Sequence, residues 1–399
     1  VNRTVLQFAE DDWGLDIGPD NNRSAAWRYF SDGLNTEFGR QGLEHCSHLN
    51  GQQFAVTPGV LRACGSATHA KGSPAICSYT EPTVSSEEFL TGLAQVIREN
   101  QAETGPCVGC RNLVATAVPR RFVASFFTSI SLHDFCGCNA HCVYCAGSEY
   151  QLPQKYVATF DHQVLFRDLL ADRMVRPAAT SVSWGGGEPT LVNSFDGTVD
   201  FLSENRIRQI INTSGIRFSS SGEKALVRRT ASVCISVDSG TNETYARVKQ
   251  NHHCDDVWES IRRYAATGGA MVVKYIIFSM NSNLEEVEAF VGRCQKAGVR
   301  RIRISADARS VFDSGAEVEP VTEKELSAAA SMRNLAMEKG IEAMWDDIWT
   351  SQHLQRIGDV GGFDVHRKPS RLRRIRRVSS LADARELVES AVEVVRRKL

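Results

Sequence analysis

The sequence predicts an α/β fold in which strands and helices alternate, and three observations carry that prediction. The pattern changes near residue 121, short apolar runs follow, and amphipathic stretches of helical period separate them. The candidate strands are "FVASFFTSIS", "SVSWGG", "QIINTSG", "SVCISVD", "MVVKYIIFS" and "RIRIS". Helical stretches between them include "YVATFDHQVLFRDLLADRM" and "LEEVEAFVGRCQKAG", the latter stopping at Gly298. Six strands alternating with helices argue for parallel β/α units, whose reactive residues gather at the C-terminal ends of the strands. The loop after the first strand therefore sits at the mouth of the sheet.

The flanks read differently. Residues 1 to about 118 hold short hydrophobic runs such as "QFAVTPGVLRAC" and one good helix, "SSEEFLTGLAQVIREN", with Ser85 or Ser86 as its cap and Glu87 and Glu88 in its first turn. Beyond 320, "TEKELSAAASMRNLAMEKG" reads as a helix, "GDVGGFDVHRKPS" as a linker and "SLADARELVESAVEVVRRKL" as a terminal helix.

Lys+Arg 46 against Asp+Glu 47 leaves a net charge of -1, so no global field favours nucleic acid or an acidic membrane. No stretch reaches the length of a membrane span and no basic region precedes an apolar one at the start, so a cytoplasmic protein is expected. In a reducing compartment the 12 cysteines of 399 residues point to metal rather than to a disulfide framework. Four of them crowd into "CGCNAHCVYC".

Cys138, Cys142 and Cys145 stand in C-x3-C-x2-C spacing, which draws three thiolates from one loop. Structural zinc sites usually present paired C-x2-C knuckles and four ligands, so a lone triad suits them poorly. Thiolate-rich sites are the usual home of iron–sulfur clusters, and three ligands on a cubane leave the fourth iron open.

With Tyr144 before the last cysteine and "GGGEP" at 185–189 after the second strand, the sequence resembles the radical SAM superfamily. "NTSG" at 212–215, "ISVDSGTNETYARVK" at 235–249 and "RIRIS" look like that family's third, fourth and sixth strand regions. The resemblance implies a partial (β/α)6 TIM barrel and a [4Fe–4S] cluster on Cys138, Cys142 and Cys145 that binds S-adenosylmethionine (SAM). It implies Tyr144 near the adenine, and the Gly186, Gly187 and Glu188 segment receiving the amino group, with the Glu188 carboxylate suited to an ammonium. Ser236 and Asp238 alternate on one strand face and are expected at the ribose, or else they merely end the strand. The fifth strand lacks the glycine-rich adenine motif known in some members.

Upstream, Cys46, Gly59 and Cys64 stand in C-x12-G-x4-C spacing and "GPCVGC" adds Cys107 and Cys110. This is similar to the SPASM and twitch extensions of radical SAM enzymes and implies an auxiliary [4Fe–4S] cluster, although the extension here precedes the barrel. Zinc is the rival occupant, and Cys77 lies close enough in sequence to replace one ligand. The organisation expected is a small α+β auxiliary domain at 1–118, the barrel at 119–320 and a C-terminal helical extension at 321–399.

Five cysteines remain. Cys294 reads as a buried helix residue and Cys136 as packing beside the cluster loop. Cys254, in "KQNHHCDDVW", and Cys234, on the parity of Ser236 and Asp238, are candidate hydrogen-atom donors to a substrate radical. His252 and His253 read as a solvated pair, and the seven Lys or Arg between 367 and 377 as a solvated linker or a site for an anionic group.

The resemblance to twitch-type radical SAM enzymes, which include epimerases and dehydrogenases of sugars and aminocyclitols in antibiotic pathways, implies hydrogen abstraction from a sugar-like natural-product intermediate by a 5′-deoxyadenosyl radical, most readily an epimerisation completed by a cysteine thiol. A dehydrogenase and a peptide-modifying enzyme are the alternatives, and a non-catalytic iron–sulfur or zinc protein comes last. An electron donor such as flavodoxin or ferredoxin is the expected partner.

Overall fold

The computed structural model describes residues 53–64, 73–79, 84, 86–100, 105, 107, 126–145, 161–307 and 320–365. Their strands form one ten-stranded sheet. The elements in chain order are β1 (Gln53–Thr57), β2 (Val60–Arg62), β3 (Ala75–Ser78), α1 (Ser86–Glu99), β4 (Ser129–Leu132), α2 (His162–Ala171), β5 (Ser181–Trp184) and α3 (Phe195–Glu204). There follow β6 (Arg208–Thr213), α4 (Ser220–Val227), β7 (Ala231–Ser236), α5 (Asn242–Lys249), α6 (Cys254–Ala266) and β8 (Ala270–Ile277). The described chain ends with α7 (Leu284–Lys296), β9 (Arg301–Ala306), α8 (Glu323–Glu338), β10 (Glu342–Trp345) and α9 (Ser351–Gly361).

The sheet order is β10-β9-β8-β7-β6-β5-β4-β1-β2-β3, with every neighbour from β4 to β10 parallel. All six strands expected from the sequence are present, in a barrel-like succession of parallel strands and helices. A seventh, β10, adds to the β9 edge with Trp345 opposite Ile304 and an Arg301–Glu342 ion pair at 2.9 Å. The linker expected from 358 also starts later, because α9 runs to Gly361. Glycines inside that helix let Phe363 fold back: a Cβ on Gly361 would lie 2.1 Å from the Phe363 ring.

The hairpin of β1 and β2, turning at Gly59 with φ +69°, joins the sheet directly. β1 lies parallel to β4 with Phe54 opposite Ile130, and the Phe54, Phe89 and Phe127 rings meet at 4.8 to 5.3 Å beneath α1. The N-terminal hairpin and the first barrel strand thus share one core.

Parity divides the sheet into two faces. One carries Trp184, Val233, Tyr275 and Ile304 into the helical layer, where Trp184 meets Phe195 of α3 at 4.9 Å and Tyr275 meets Phe290 of α7 at 4.7 Å. The other carries Ser131, Ser183, Asn212, Cys234, Ser236, Lys274 and Arg303 in aligned register. Helix α7 shows what fixes the outer layer. Its Asn283 cap contributes about 1 kcal/mol, whereas each buried side chain of its Val287, Phe290 and Val291 face contributes about 1.5–3 kcal/mol. Packing outweighs capping.

Tyr264 of α6 accepts a hydrogen bond from the Ser219 N–H at 2.9 Å, and burial pushes its phenol up to about 12. The fold holds the neutral phenol, whereas the unfolded chain ionises it near 10. Its contribution is whole below pH 10 and falls away as pH rises through 12. The denaturant midpoint is therefore expected to drop between pH 10 and 12, and to drop less in Tyr264→Phe. A midpoint independent of pH across that window would contradict this.

Candidate active site

The loop 133–145 follows β4 at the C-terminal edge of the sheet and carries Cys138, Cys142 and Cys145, all free thiols. Main-chain and side-chain contacts grip it from four sides. From below, Asp134 accepts from His162 Nε2 at 2.9 Å, both side chains fully buried at the start of α2.

From β5, the glycine-rich turn runs alongside the loop. Gly187 N–H donates to Phe135 O at 3.0 Å and Glu188 N–H to Gly137 O at 2.8 Å. The approach leaves no room for side chains: a Cβ on Gly186, at φ +101°, would lie 2.5 Å from Phe135 O, and one on Gly187 would lie 2.4 Å from Gly137 O. Such contacts are possible only for glycine.

From the end of β6, Ser214 Oγ donates to Asn139 Oδ1 at 2.9 Å. From α5, the carbonyls of Val248 and Lys249 accept from Val143 and His141 N–H, each at 3.0 Å. These are terminal helix carbonyls without an intrahelical partner, so the loop satisfies the helix end while the helix end fixes the loop.

Tyr144 closes the ring of contacts. Its hydroxyl donates to Asp238 Oδ2 at 2.6 Å, and its ring lies 5.8 Å from that of Phe278. Burial and the neighbouring Asp238 carboxylate hold the phenol well above its ordinary range. Burial likewise pushes the Cys138 thiol up to about 11, with only the Ala140 N–H opposing it within the loop.

Several residues are placed differently from expectation. The Glu188 carboxylate, expected to face an ammonium, is buried and turned towards β6. It accepts from Thr190 N and Oγ1 at 3.1 and 2.7 Å, Thr213 Oγ1 at 2.7 Å and Ser214 N at 2.6 Å. Asp238, expected at a ribose, is also buried, at φ +58°. Its Oδ1 accepts from Ile276 N at 2.7 Å and its Oδ2 serves Tyr144 and Lys249. Both carboxylates bind protein donors. Ser236, by contrast, is half-buried on the face opposite the helical layer.

Cys254 opens α6 and is buried among helices, its sulfur accepting from Arg293 of α7 at 3.1 Å. It does not reach the face that carries Ser236. Cys234 lies on that face, beside Lys274, Arg303 and Asp346, and burial raises its thiol despite the two cations. Lys274 itself pairs with Asp346 at 3.0 Å. Cys294 is fully buried in α7, and His253 pairs with Asp256 on the surface at 2.8 Å.

Of the second cysteine set, Cys64 and Cys107 are buried. Cys64 Sγ lies 3.1 Å from Ser73 Oγ, and Cys107 N–H donates to Asn100 Oδ1 at 2.7 Å. Cys46 and Cys110 lie outside the described residues, as do the basic run and the terminal helix. Sequence reasoning missed Asp134, His162, Asn139 and Lys249, which hold the loop. The only hint of Lys249 was its place in "YARVK", between the fourth strand region and the histidine pair.

The donor set of the loop fits a multi-iron cluster. Three free thiols on one loop are the thiolate donors by which a protein holds such a cluster.

Residues 133–294 match the model of the radical SAM superfamily. The mycofactocin maturase MftC of Mycobacterium tuberculosis (strain CDC 1551 / Oshkosh) is 23% identical over 229 residues, covering 56% of this chain and 55% of that protein. MftC of Mycobacterium ulcerans (strain Agy99) is 24% identical over 232 residues, covering 56% and 58%. The chain spans about half the length of the curated relatives it matches. Among solved structures, Streptococcus suis SuiB bound to precursor peptide SuiA gives a TM-score of 0.44 at 12% identity, over 65% of this chain and 54% of that one. Among the described residues no helix is long and apolar enough to cross a membrane. The cysteine loop and the glycine turn locked beside it both lie within the stretch that matches the radical SAM superfamily model.

Proposed function

We propose that the chain binds a [4Fe–4S] cluster through Cys138, Cys142 and Cys145 and uses it with SAM to modify a peptide. The observation that carries this reading is the ladder between the glycine turn and loop 133–145, which brings three free thiols beside exposed backbone at the sheet's C-terminal edge. When bound, the cluster and SAM supply a one-electron reductive cleavage that yields a 5′-deoxyadenosyl radical. Cys138, Cys142 and Cys145 hold the iron. The backbone of Gly186 and Gly187 receives the SAM amino group, and Tyr144 and Ser236 border the nucleoside. Glu188 and Asp238 act on SAM only by fixing the loops that touch it.

A peptide is favoured over the sugar-like intermediate expected from the sequence because the relatives matched over more than half of the chain are named mycofactocin maturases. The placement of Cys254 also weakens the epimerase reading, since its thiol faces Arg293. Cys234 is the remaining candidate donor. Cys46, Cys64, Cys107 and Cys110 are proposed to hold an auxiliary cluster, with zinc as the alternative, and a low-potential donor such as ferredoxin or flavodoxin to deliver electrons.

The test is anaerobic reconstitution with iron and sulfide, followed by SAM and dithionite. The expected product is 5′-deoxyadenosine, and iron, sulfide and zinc counts separate two clusters from one cluster with zinc. Turnover of candidate peptides and of a sugar-like substrate in deuterium oxide then distinguishes the two classes by mass. Reconstituted protein that forms no 5′-deoxyadenosine would refute the reading.

A further inference from the structure

Helix α5 ends against the second half of the cysteine loop, where Gln250, at φ +53°, turns the chain out of helical backbone. Its last two carbonyls, of Val248 and Lys249, accept from Val143 and His141 N–H at 3.0 Å, one on each side of Cys142. The Lys249 ammonium adds a third grip. It donates to Tyr144 Oη at 2.6 Å and to Asp238 Oδ2 at 2.5 Å, and Tyr144 Oη donates to the same Oδ2 at 2.6 Å. Asp238 is seated in turn by Ile276 N–H on Oδ1 at 2.7 Å and by Asn281 Nδ2 on its carbonyl at 2.9 Å. Cys145 N–H donates to Cys142 O at 3.0 Å, which carries the hold on to the last cysteine. Lys249 and Asp238 are both buried, and bonds in which a partner is ionised are stronger than neutral ones. None of these bonds uses a thiol.

We infer that Lys249 is a positioning residue that, through Tyr144 and Asp238, latches residues 141–145 and so presets Cys142 and Cys145 before iron arrives. The inference rests on the proposed cluster. A lysine paired only with Asp238 would tie α5 to the end of β7 and leave the loop out. The Tyr144 hydroxyl brings the loop into the pair, accepting from one partner and donating to the other. Ordering a free loop costs backbone entropy when a ligand binds, and a loop already held in place avoids that cost. The latch therefore acts on how tightly iron is held, through residues that are not iron ligands.

The test compares three variants of the full chain, metal-free and after reconstitution with iron and sulfide. Tyr144→Phe removes the loop's share of the latch and leaves the Lys249–Asp238 pair intact. Lys249→Met alone strands a buried carboxylate, which is strongly destabilising, so Lys249→Met/Asp238→Asn removes the pair together. Lys249→Arg keeps a charge and donors.

In the metal-free state, deuterium exchange of segment 139–145, read by mass spectrometry, is expected to quicken about tenfold in Tyr144→Phe and in the double variant, while β7 and β8 exchange as in the wild type. After reconstitution the loop's iron, identified by its loss when Cys138, Cys142 and Cys145 are replaced by alanine, is expected to pass to EDTA about tenfold faster. Lys249→Arg is expected to lie nearer the wild type in both. Wild-type exchange of 139–145, quickened exchange with wild-type iron retention, or quickening that spreads to β7 and β8 would each overturn the inference. Failure of the wild-type protein itself to take up four iron and four sulfide at the loop would instead refute the cluster reading, of which the exchange of the metal-free loop is independent.

Discussion

Replacing Cys138, Cys142 and Cys145 together by alanine is expected to bring 5′-deoxyadenosine formation down to background and to remove one cluster's worth of iron, with the fold intact. The separation of the two effects follows from what holds the loop. Its shape comes from main-chain bonds to Gly187, Glu188, Val248 and Lys249 and from the Asp134–His162 pair, none of which uses a thiol. Cys145 is exposed, and Cys138 has a single long contact, from Ala140 N at 3.4 Å. Truncating such side chains costs roughly 1 kcal/mol or less each, against the complete loss of a donor set that no other described residues replace. Iron analysis, circular dichroism and product assay together check it. A triple variant that keeps its iron and its SAM cleavage would show that the metal sits elsewhere.

The extent to which sequence foretold structure varies with how local the determining contacts are. Strands β4 to β9 were legible as short apolar runs, and most of the helices between them carry their own side-chain caps, as Asp161 does for α2 and Asn283 for α7. Strand β10 was not: Glu342, Ala343, Met344 and Trp345 are all half-buried at a sheet edge, and Trp345 is the only one of the four with a clear strand preference, so pairing with β9 selects the conformation. Helix α9 was not read from the sequence, where Gly358 and Gly361 look like a linker. They serve instead a close approach by Phe363 that no local pattern reveals.

The site divides in the same way. The spacing of Cys138, Cys142 and Cys145 is legible because iron–sulfur ligation restricts residue type and the loop restricts distance. The partners of Asp238 are not legible, since Tyr144 lies 94 positions away from it and 105 from Lys249. Residue type alone suggested that Glu188 and Asp238 meet a ligand. In the structure both carboxylates are turned onto protein donors, and that direction is set by groups in other strands.

Glu188 supplies the second large effect. In Glu188→Ala the Ser214 and Thr190 N–H groups and the Thr190 and Thr213 hydroxyls lose their shared acceptor. Hydrogen bonds to a charged group are worth about 1.5–3 kcal/mol each, and a buried main-chain donor has no rotation with which to find another partner. The hydroxyls do, so the total expected loss is about 3–5 kcal/mol, read as a fall in denaturant midpoint at unchanged slope. Glu188→Gln is the informative companion. Its amide oxygen still serves the two threonines, but its NH2 group meets the Ser214 N–H donor to donor, so an intermediate loss is expected. Activity should fall in step with stability in both variants, because the carboxylate fixes the β6 end to the glycine turn that borders the cysteine loop. If Glu188→Gln were instead as stable as the wild type and weakened only SAM binding, the carboxylate would be a ligand to SAM and not the latch its four donors describe.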